Sequence, residues 1–195
     1  KGDEAVKNSI QRIRRERVEL HDLLDRLGAK PYPSQGNFVF AAVADPMWAR
    51  DALGGMGIAV RMFVGEGDFP GGVRITCPGM EAHFERLARA LKTVLSPDGL
   101  FVDPSLLSVA DGLDFKGLPF ASRENTEQGL TETMKRKGWQ TAWLVTADEE
   151  SIRAARKAGL LPLAVAPDDE KAEALVRAGA GRALCHINEL EGLLP

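Results

Sequence analysis

The second half of the sequence alternates short apolar segments with segments of helical periodicity, and this alternation limits the folds open to it. Apolar runs that predict strands occur at residues 100–102, 141–145, 161–165 and 182–185. Helices are predicted at 124–137, 149–158 and 168–178, each followed by a glycine, and a terminal helix at 187–194. Strands that alternate with helices form right-handed βαβ units, so we expect a parallel sheet covered by helices.

The first half has a different order of elements. Residues 3–27 predict one long amphipathic helix, because their apolar side chains recur at spacings of three, four and seven. A turn framed by Pro31 and Pro33 follows, then a strand at 37–43, a helix at 47–56, strands at 57–63 and 72–76, and a helix at 79–95. This order predicts an α+β domain. Near residues 95–98 the order changes to a regular alternation of strands and helices, which predicts two domains, 1–95 and 96–195.

Two arginines, Arg61 and Arg74, lie inside the strands predicted at 57–63 and 72–76. An arginine is costly to bury unless an anion meets it, and its planar guanidinium binds a carboxylate or phosphate through two parallel hydrogen bonds. The pair therefore indicates a pocket for a carboxylate, a phosphate or both. The alternative is that each arginine points to solvent, as alternate positions of a strand do.

The composition argues against several classes of function. With a net charge of −3 the sequence is not basic enough to indicate nucleic-acid binding, and no apolar run is long enough to cross a membrane. The sequence opens on no signal-peptide pattern, and Cys77 and Cys185 fit no metal or redox spacing, which is typical of reduced thiols in a cytoplasmic protein. The histidines have no Ser, Cys or Asp at a spacing that indicates catalysis.

Residues 1–95 combine several short motifs in a characteristic order. Pro33-Ser34-Gln35-Gly36-Asn37-Phe38-Val39 is followed by Gly57-Ile58-Ala59-Val60-Arg61 and then by Val73-Arg74-Ile75-Thr76. In this combination the region resembles the α+β small C-terminal domain of the class I/II pyridoxal-phosphate aminotransferases. Within that family it resembles the histidinol-phosphate aminotransferases most.

The resemblance implies a role for three residues. Arg74 matches the arginine that holds the substrate α-carboxylate, and Arg61 matches one that helps to hold the substrate phosphate in the histidinol-phosphate branch. Asn37 matches a position where the small domain meets the active site, although it could equally cap the turn that enters the strand. The implied substrate is a small amino acid or amino phosphate, and the full-length protein is expected to be a homodimer.

The same resemblance implies the cofactor pyridoxal 5′-phosphate, which forms a Schiff base with a lysine of the family's large domain. Lys1, Lys7 and Lys30 have no matching context. The chain also begins at Lys1 rather than Met and opens inside a predicted helix. We therefore expect a C-terminal fragment that is inactive alone, with the cofactor bound mainly by the missing large domain.

Residues 96–195 resemble a haloacid dehalogenase-like domain, which has a Rossmann-like α/β fold. The resemblance rests on residues 95–103, similar to the opening strand and acidic loop, and on residues 144–165, similar to the late acidic motif with its helix and strand. In this alignment the nucleophilic carboxylate falls at Ser96, the general acid at Asp98 and a magnesium ligand at Ala147. The loss of two of these acids implies a degenerate domain without phosphatase activity.

These resemblances lead to one expected function and two alternatives. The complete protein is expected to transfer an amino group between an amino compound and a 2-oxo acid. The first alternative is a haloacid dehalogenase-like phosphatase with an accessory first half. The second is a non-catalytic interaction module.

Overall fold

The computed structural model describes residues 2–110, 112–122 and 125–194, without the side chains of residues 2 and 3. Lys1 and the predicted helix start at Glu124 lie outside these residues. The chain divides into two compact units. One contains the residues up to Leu53 together with Ile58–Leu95, and the other contains Gly54–Gly57 together with the residues from Ser96 onward.

Residues 2–95 form an antiparallel sheet and three helices. The elements are α1 (Gly2–Arg26), β1 (Lys30–Tyr32), β2 (Phe38–Ala42), α2 (Pro46–Gly55), β3 (Arg61–Phe63), β4 (Gly72–Thr76) and α3 (Glu81–Leu95). The strands lie in the order β1-β2-β4-β3, and each neighbouring pair is antiparallel. This arrangement is the α+β class that the sequence predicts.

One face of this sheet belongs to the core of the unit. Side chains alternate between the faces of a strand, so Val39 and Ala41 of β2 share one face with Val73 and Ile75 of β4. All four are buried. Helix α1 contacts β1, β2 and α3, and the helices contribute the buried side chains of Leu20, Leu24, Leu87, Leu91 and Val94. The opposite face carries the aromatic and basic side chains of the strands.

Glu16 connects α1 to the segment that precedes α3. Its side chain is 6% exposed. Oε2 accepts a hydrogen bond from the Gly79 N–H at 2.7 Å, and Oε1 accepts one from Nε of Arg12 at 3.3 Å. Arg12 also pairs with Glu81 in the first turn of α3 at 3.2 Å. Because a buried carboxylate needs donors on both oxygens, these contacts hold α1 and α3 at a fixed spacing.

Two predicted elements of this unit differ in the structure. The segment around Pro31 is more than a turn, since Lys30–Tyr32 pairs with β2 as an edge strand, the position in a sheet that tolerates a missing proline N–H. The strand predicted at 57–63 is shorter. The amides of Gly57 and Ile58 donate to carbonyls of α2, and Gly57 has a φ of +76°, so these residues cap the helix.

The second unit is an α/β structure. Its elements are β5 (Gly99–Val102), β6 (Phe120–Ala121), α4 (Glu127–Lys137), β7 (Ala142–Thr146), α5 (Glu149–Lys157), β8 (Leu161–Val165), α6 (Asp169–Ala178) and β9 (Arg182–Leu184), with 3-10 helices at Pro104–Leu106 and Ile187–Gly192. All neighbouring strands are parallel, in the order β6-β5-β7-β8-β9. The predicted parallel sheet is confirmed, while the predicted terminal helix is a 3-10 helix.

Local chemistry explains why each helix of this unit begins where it does. Thr126, Asp148 and Asp168 are the N-cap residues of α4, α5 and α6, and each side chain accepts a hydrogen bond from a backbone N–H of the first turn. The central strands β5 and β7 are buried along their whole length, as expected for a parallel sheet with both faces covered. Among the helices of the described residues, none is long and apolar enough to span a membrane.

Candidate functional site

Arg61 and Arg74 are direct neighbours in the antiparallel sheet. They are Cα partners in the register of β3 with β4, and Phe40 is the partner of Arg74 in the register of β2 with β4. Partners in an antiparallel pair point to the same face, with Cβ atoms about 4.5–5.5 Å apart. A row of three side chains, Phe40, Arg74 and Arg61, therefore crosses the face opposite the core.

Each of the two guanidinium groups lies over an aromatic ring. Cζ of Arg74 is 5.2 Å from the ring centroid of Phe38, and Cζ of Arg61 is 5.2 Å from that of Phe63. Arg61 is exposed and Arg74 half-buried, and Nε of Arg74 is buried without a hydrogen-bond partner. Within the described part of the chain, no acidic side chain pairs with either arginine.

This environment favours an anion. Two like charges directly opposite each other in a sheet repel, and a buried N–H without an acceptor loses its hydration without compensation. A carboxylate or phosphate on this face would supply the missing acceptor to Arg74 and reduce its repulsion with Arg61. The chemistry that the residues support is thus the binding of an anionic group at a fixed point of the sheet.

Phe40 is the centre of an aromatic cluster beside the arginines. Its ring centroid lies 5.6 Å from that of Tyr32, 5.8 Å from that of Phe63 and 5.4 Å from that of Phe69. The absence of a side chain at Gly72 makes room for the ring, since a Cβ there would lie 2.7 Å from Cζ of Phe40. The face therefore offers apolar surface next to the positive charges.

Asn37 lies apart from the row. It occupies the bend before β2 and is exposed, and its carbonyl accepts a hydrogen bond from the Cys77 N–H at 2.8 Å. This contact extends the pairing of β2 with β4 by one step, as a residue at the entrance of a strand does. Burial raises the pKa of the Cys77 thiol, which favours its protonated, unreactive form.

A second polar cluster lies in the other unit, at the carboxyl end of the parallel sheet. Asp103 directly follows β5 and is 8% exposed. Its Oδ1 accepts hydrogen bonds from the N–H and Oγ of Ser105 at 2.9 and 2.7 Å. Its Oδ2 accepts them from Nδ2 of Asn125 at 2.8 Å and from Oγ1 of Thr146, at the end of β7, at 2.6 Å.

The hydrogen bonds decide the charge of Asp103. Burial raises the pKa of its carboxyl, but the bonds from Thr146, Ser105 and Asn125 together outweigh burial and bring the pKa below its ordinary value. The group is therefore an ion at neutral pH. Each oxygen already accepts two hydrogen bonds, so the carboxylate is engaged in the structure and is poorly placed to act as a nucleophile.

Ser96 and Asp98 do not lie in this cluster. Both precede β5, and Oδ2 of Asp98 accepts hydrogen bonds from the N–H groups of Gln140 and Thr141 at 2.8 and 2.9 Å, just before β7. Sites on parallel sheets form at the carboxyl ends of strands. The expectation that the position of a nucleophile falls at Ser96 and that of an acid at Asp98 therefore puts both at the opposite end of β5, whereas Asp103 lies at its carboxyl end.

A cavity of about 550 Å³ adjoins this end of the sheet. Its lining includes Asn125, Asp148, Ser151 and Lys157, and Oδ1 of Asn125 is buried without a hydrogen-bond partner. In the part of the chain that the structure describes, no three His, Cys, Asp or Glu side chains come together as a metal ion requires. Polar side chains contribute to the lining of the cavity, but its described residues do not form a magnesium site.

The described residues also do not fit a pyridoxal-phosphate site. That cofactor needs a lysine amine for its Schiff base, and such lysines are activated by removal from water. The described lysines are exposed except for Lys92, which is half-buried within α3. The described residues of the first unit do not supply a lysine of this kind.

The first unit is an α+β domain in which two arginines, Arg61 and Arg74, lie side by side on one face of the sheet. Residues 1–91 match the family model described as aminotransferase class I and II, and this range contains Arg61, Arg74 and Asn37. No curated protein and no solved structure matches the chain. The first unit is therefore similar to a part of the class I and II aminotransferases, a family that generally uses pyridoxal phosphate.

Proposed function

We propose that residues 1–95 are the small domain of a pyridoxal-phosphate-dependent aminotransferase, and that the protein transfers an amino group between an amino compound and a 2-oxo acid. The observation that carries this proposal is the pair Arg61 and Arg74, adjacent on one sheet face within the region that matches the family. Amino acids and 2-oxo acids both carry a carboxylate, the group that a guanidinium recognises best.

We propose further that the protein is an aminotransferase of the histidinol-phosphate type, whose substrate carries a phosphate. Arg74 would hold a carboxylate through its buried Nε and its terminal nitrogens, and Arg61 would hold a phosphate at the more exposed edge of the face. Asn37 would contribute from the entrance of β2. A cytoplasmic homodimer is part of the same proposal.

The experiment is a steady-state assay of amino transfer by the product of the entire reading frame that encodes this sequence. Arg74→Ala should lower kcat/KM by an amount that corresponds to a loss of about 2–4 kcal/mol in transition-state binding. This is the scale for losing one partner of a desolvated charge pair. Arg61→Ala should lower kcat/KM for phosphorylated donors more than for simple amino acids. Arg14→Ala, on the exposed surface of α1, is the matched control and should leave kcat/KM unchanged.

Two results would contradict different parts of the proposal. Amino transfer that is equally fast in wild type and Arg74→Ala would remove the anion-binding role of Arg74. No amino transfer with any donor, from protein supplied with pyridoxal phosphate, would remove the aminotransferase function itself.

For residues 96–195 we propose a degenerate haloacid dehalogenase-like domain. Two observations support this proposal: the parallel strand order β6-β5-β7-β8-β9 and an aspartate, Asp103, directly after β5. Ala147 stands where the resemblance places a magnesium ligand. The domain would serve as a structural or interaction module, and a working phosphatase is the alternative.

A further inference from the structure

The ring of Phe38 lies between Arg74 and the turn that enters β2. In the register of β2 with β4, Phe38 is the partner of Thr76 and Phe40 is the partner of Arg74. Phe38 is therefore a diagonal neighbour of Arg74 on the same face, within reach of a long side chain. The Cζ–centroid distance of 5.2 Å places the guanidinium in cation–π contact with this ring.

Gly36 lies close to an edge of this ring. A Cβ atom at position 36 would be 2.7 Å from Cε1 and 3.0 Å from Cδ1 of Phe38, which is closer than real Cβ atoms approach. Any side chain at position 36 would therefore push the ring of Phe38 away from its present place. Glycine is the one residue that permits the ring to lie against the turn.

The backbone of Gly36 is itself fixed on both sides. Its carbonyl accepts a hydrogen bond from a terminal nitrogen of Arg17 in α1 at 2.8 Å, and its N–H donates to Oγ of Ser34 at 3.2 Å. The turn is thus tied to the long helix and closed by its own serine. Two hydrogen bonds thus hold the backbone beside which the ring of Phe38 lies.

Arg74 depends on this ring because the described residues provide it with no acidic partner. Its Nε is buried and lacks an acceptor, and its guanidinium lies over the ring of Phe38. A long side chain without a fixed partner loses rotamer freedom when it binds a ligand, and a preorganised one loses less. The ring can supply that preorganisation before any anion arrives.

We propose that Gly36 and Phe38 are positioning residues, which hold the guanidinium of Arg74 in place to bind the substrate anion. This inference rests on the proposed role of Arg74. The order of contacts is Arg17 to Gly36, Gly36 to Phe38, and Phe38 to Arg74. On this proposal the glycine and the phenylalanine of the segment 33–39 both serve to position Arg74.

The first test observes the contact directly in the 195-residue chain. The Nε–H resonance of Arg74 is recorded by NMR in wild type, Phe38→Leu and Gly36→Ala. The ring current of Phe38 should shift this resonance in wild type, and both substitutions should remove or alter the shift. Phe63→Leu, which removes the ring under Arg61, and Gly54→Ala, which meets no atom within 4 Å, are matched controls.

The second test measures amino transfer by the product of the entire reading frame. Phe38→Leu and Gly36→Ala should raise KM for the amino substrate by about two- to five-fold, with kcat changed less, because a cation–π contact of this kind is weak. Phe38→Tyr keeps an aromatic ring at this position, so the KM of this variant should stay near the wild-type value. Amide exchange of β4 in each variant shows whether the sheet is folded.

The outcomes separate this inference from the proposed function. If Arg74→Ala raises KM but Phe38→Leu and Gly36→Ala do not, the positioning role is overturned and the role of Arg74 stands. If Arg74→Ala itself leaves KM unchanged, the proposed function of Arg74 fails. An Arg74 resonance that is the same in all variants also overturns the positioning role, whatever the kinetics.

Discussion

Asp103 keeps a negative charge in a buried place because four donors surround its carboxylate. Hydrogen bonds to a charged group contribute more than those between neutral groups, about 1.5–3 kcal/mol each. The same donors lower the pKa of Asp103 in the folded chain. The residue therefore links the stability of the parallel sheet to pH.

The sign of this link follows from the direction of the shift. A carboxyl with a lower pKa in the folded state than in the unfolded one, where it is about 3.9, stabilises the fold above that pH. The stabilisation is lost as the pH falls through the folded-state pKa. We predict that the free energy of opening at the β5 amides, measured by hydrogen exchange, decreases as the pH falls below about 4.

Asp103→Asn tests this prediction. The variant should be less stable than wild type by about 1–3 kcal/mol at pH 7, since one oxygen acceptor becomes an NH₂ donor facing other donors. Its stability should also vary less below pH 4. Asp169→Asn, an exposed residue at the start of α6, should reproduce the wild-type profile. An Asp103→Asn profile as steep as that of wild type would contradict the assignment.

The sequence indicates that Arg61 and Arg74 are candidates for an anion site, but it does not predict which residues lie next to them. Arg61 and Arg74 were identifiable because arginine is unusual among β-branched and apolar neighbours. Their direct pairing depends on the register of β3 with β4, which a turn of eight residues does not specify. Asp103 was missed because it opens a Gly- and Pro-containing stretch, although an Asp directly after a buried strand was the available signal.

At the scale of elements, Gly99 determines how Trp139 packs on β5. A Cβ at position 99 would lie 2.5 Å from two atoms of the Trp139 ring, which also makes an edge contact with Phe101 at 5.5 Å between centroids. The indole of Trp139 therefore occupies the space that a side chain at position 99, the first residue of β5, would need.

We predict that Gly99→Ala destabilises the second unit by about 1–3 kcal/mol, the usual cost of overpacking a core. Chemical denaturation followed by amide exchange in β5 and β7 measures the effect. Gly192→Ala, which meets no atom within 4 Å, is the control in the same unit. Adding Trp139→Leu to Gly99→Ala should recover part of the loss, and two strictly additive losses would argue against the clash.

The segment 113–120 is tied to the end of the chain. Lys116 has a φ of +49° and donates from Nζ to the Leu194 carbonyl at 2.9 Å, while the Asp114 N–H donates to Glu191 at 3.0 Å. Leu118 closes the turn with a bond to the Phe115 carbonyl at 2.8 Å. These bonds give the segment a defined conformation although it contains no helix and only the short strand β6.

We predict that Glu191→Ala speeds tryptic cleavage after Lys116. Loss of one hydrogen bond of about 0.5–1.5 kcal/mol should raise the open population, and with it the cleavage rate, by about two- to ten-fold. Mass spectrometry identifies the cut. Glu170→Ala, exposed on α6, should leave the rate unchanged, and an equal rate in Glu191→Ala would show that the contact does not restrain the segment.

Elements with strong periodicity could be predicted, and short ones could not. Helices α1, α3 and α5 and strands β7 and β8 follow from runs of apolar side chains at the right spacing. Strand β1 was missed because Pro31 and Pro33 favour a turn in any local reading, and only its edge position permits pairing. The residues 57–60 have the composition of a strand, but the amides of Gly57 and Ile58 donate to carbonyls at the end of α2.

At the scale of the whole molecule, the second unit should not hydrolyse phosphate esters. Asp103 accepts four hydrogen bonds, and the described residues contain no cluster of acids for a metal ion. We predict no magnesium-dependent turnover of a generic phosphate ester by the 195-residue chain. Turnover that requires magnesium and disappears in Asp103→Asn would identify Asp103 as a nucleophile and establish the phosphatase alternative.

The lengths of the outer strands have a consequence for association between molecules. β1, β3 and β9 have three residues each and β6 has two, and these four strands form the edges of the two sheets. Unpaired edges are the usual templates on which further chains add strands. Because each edge offers so few free backbone groups, and one of them contains Pro31, the buried apolar strands behind them are protected from recruitment into fibres at high protein concentration.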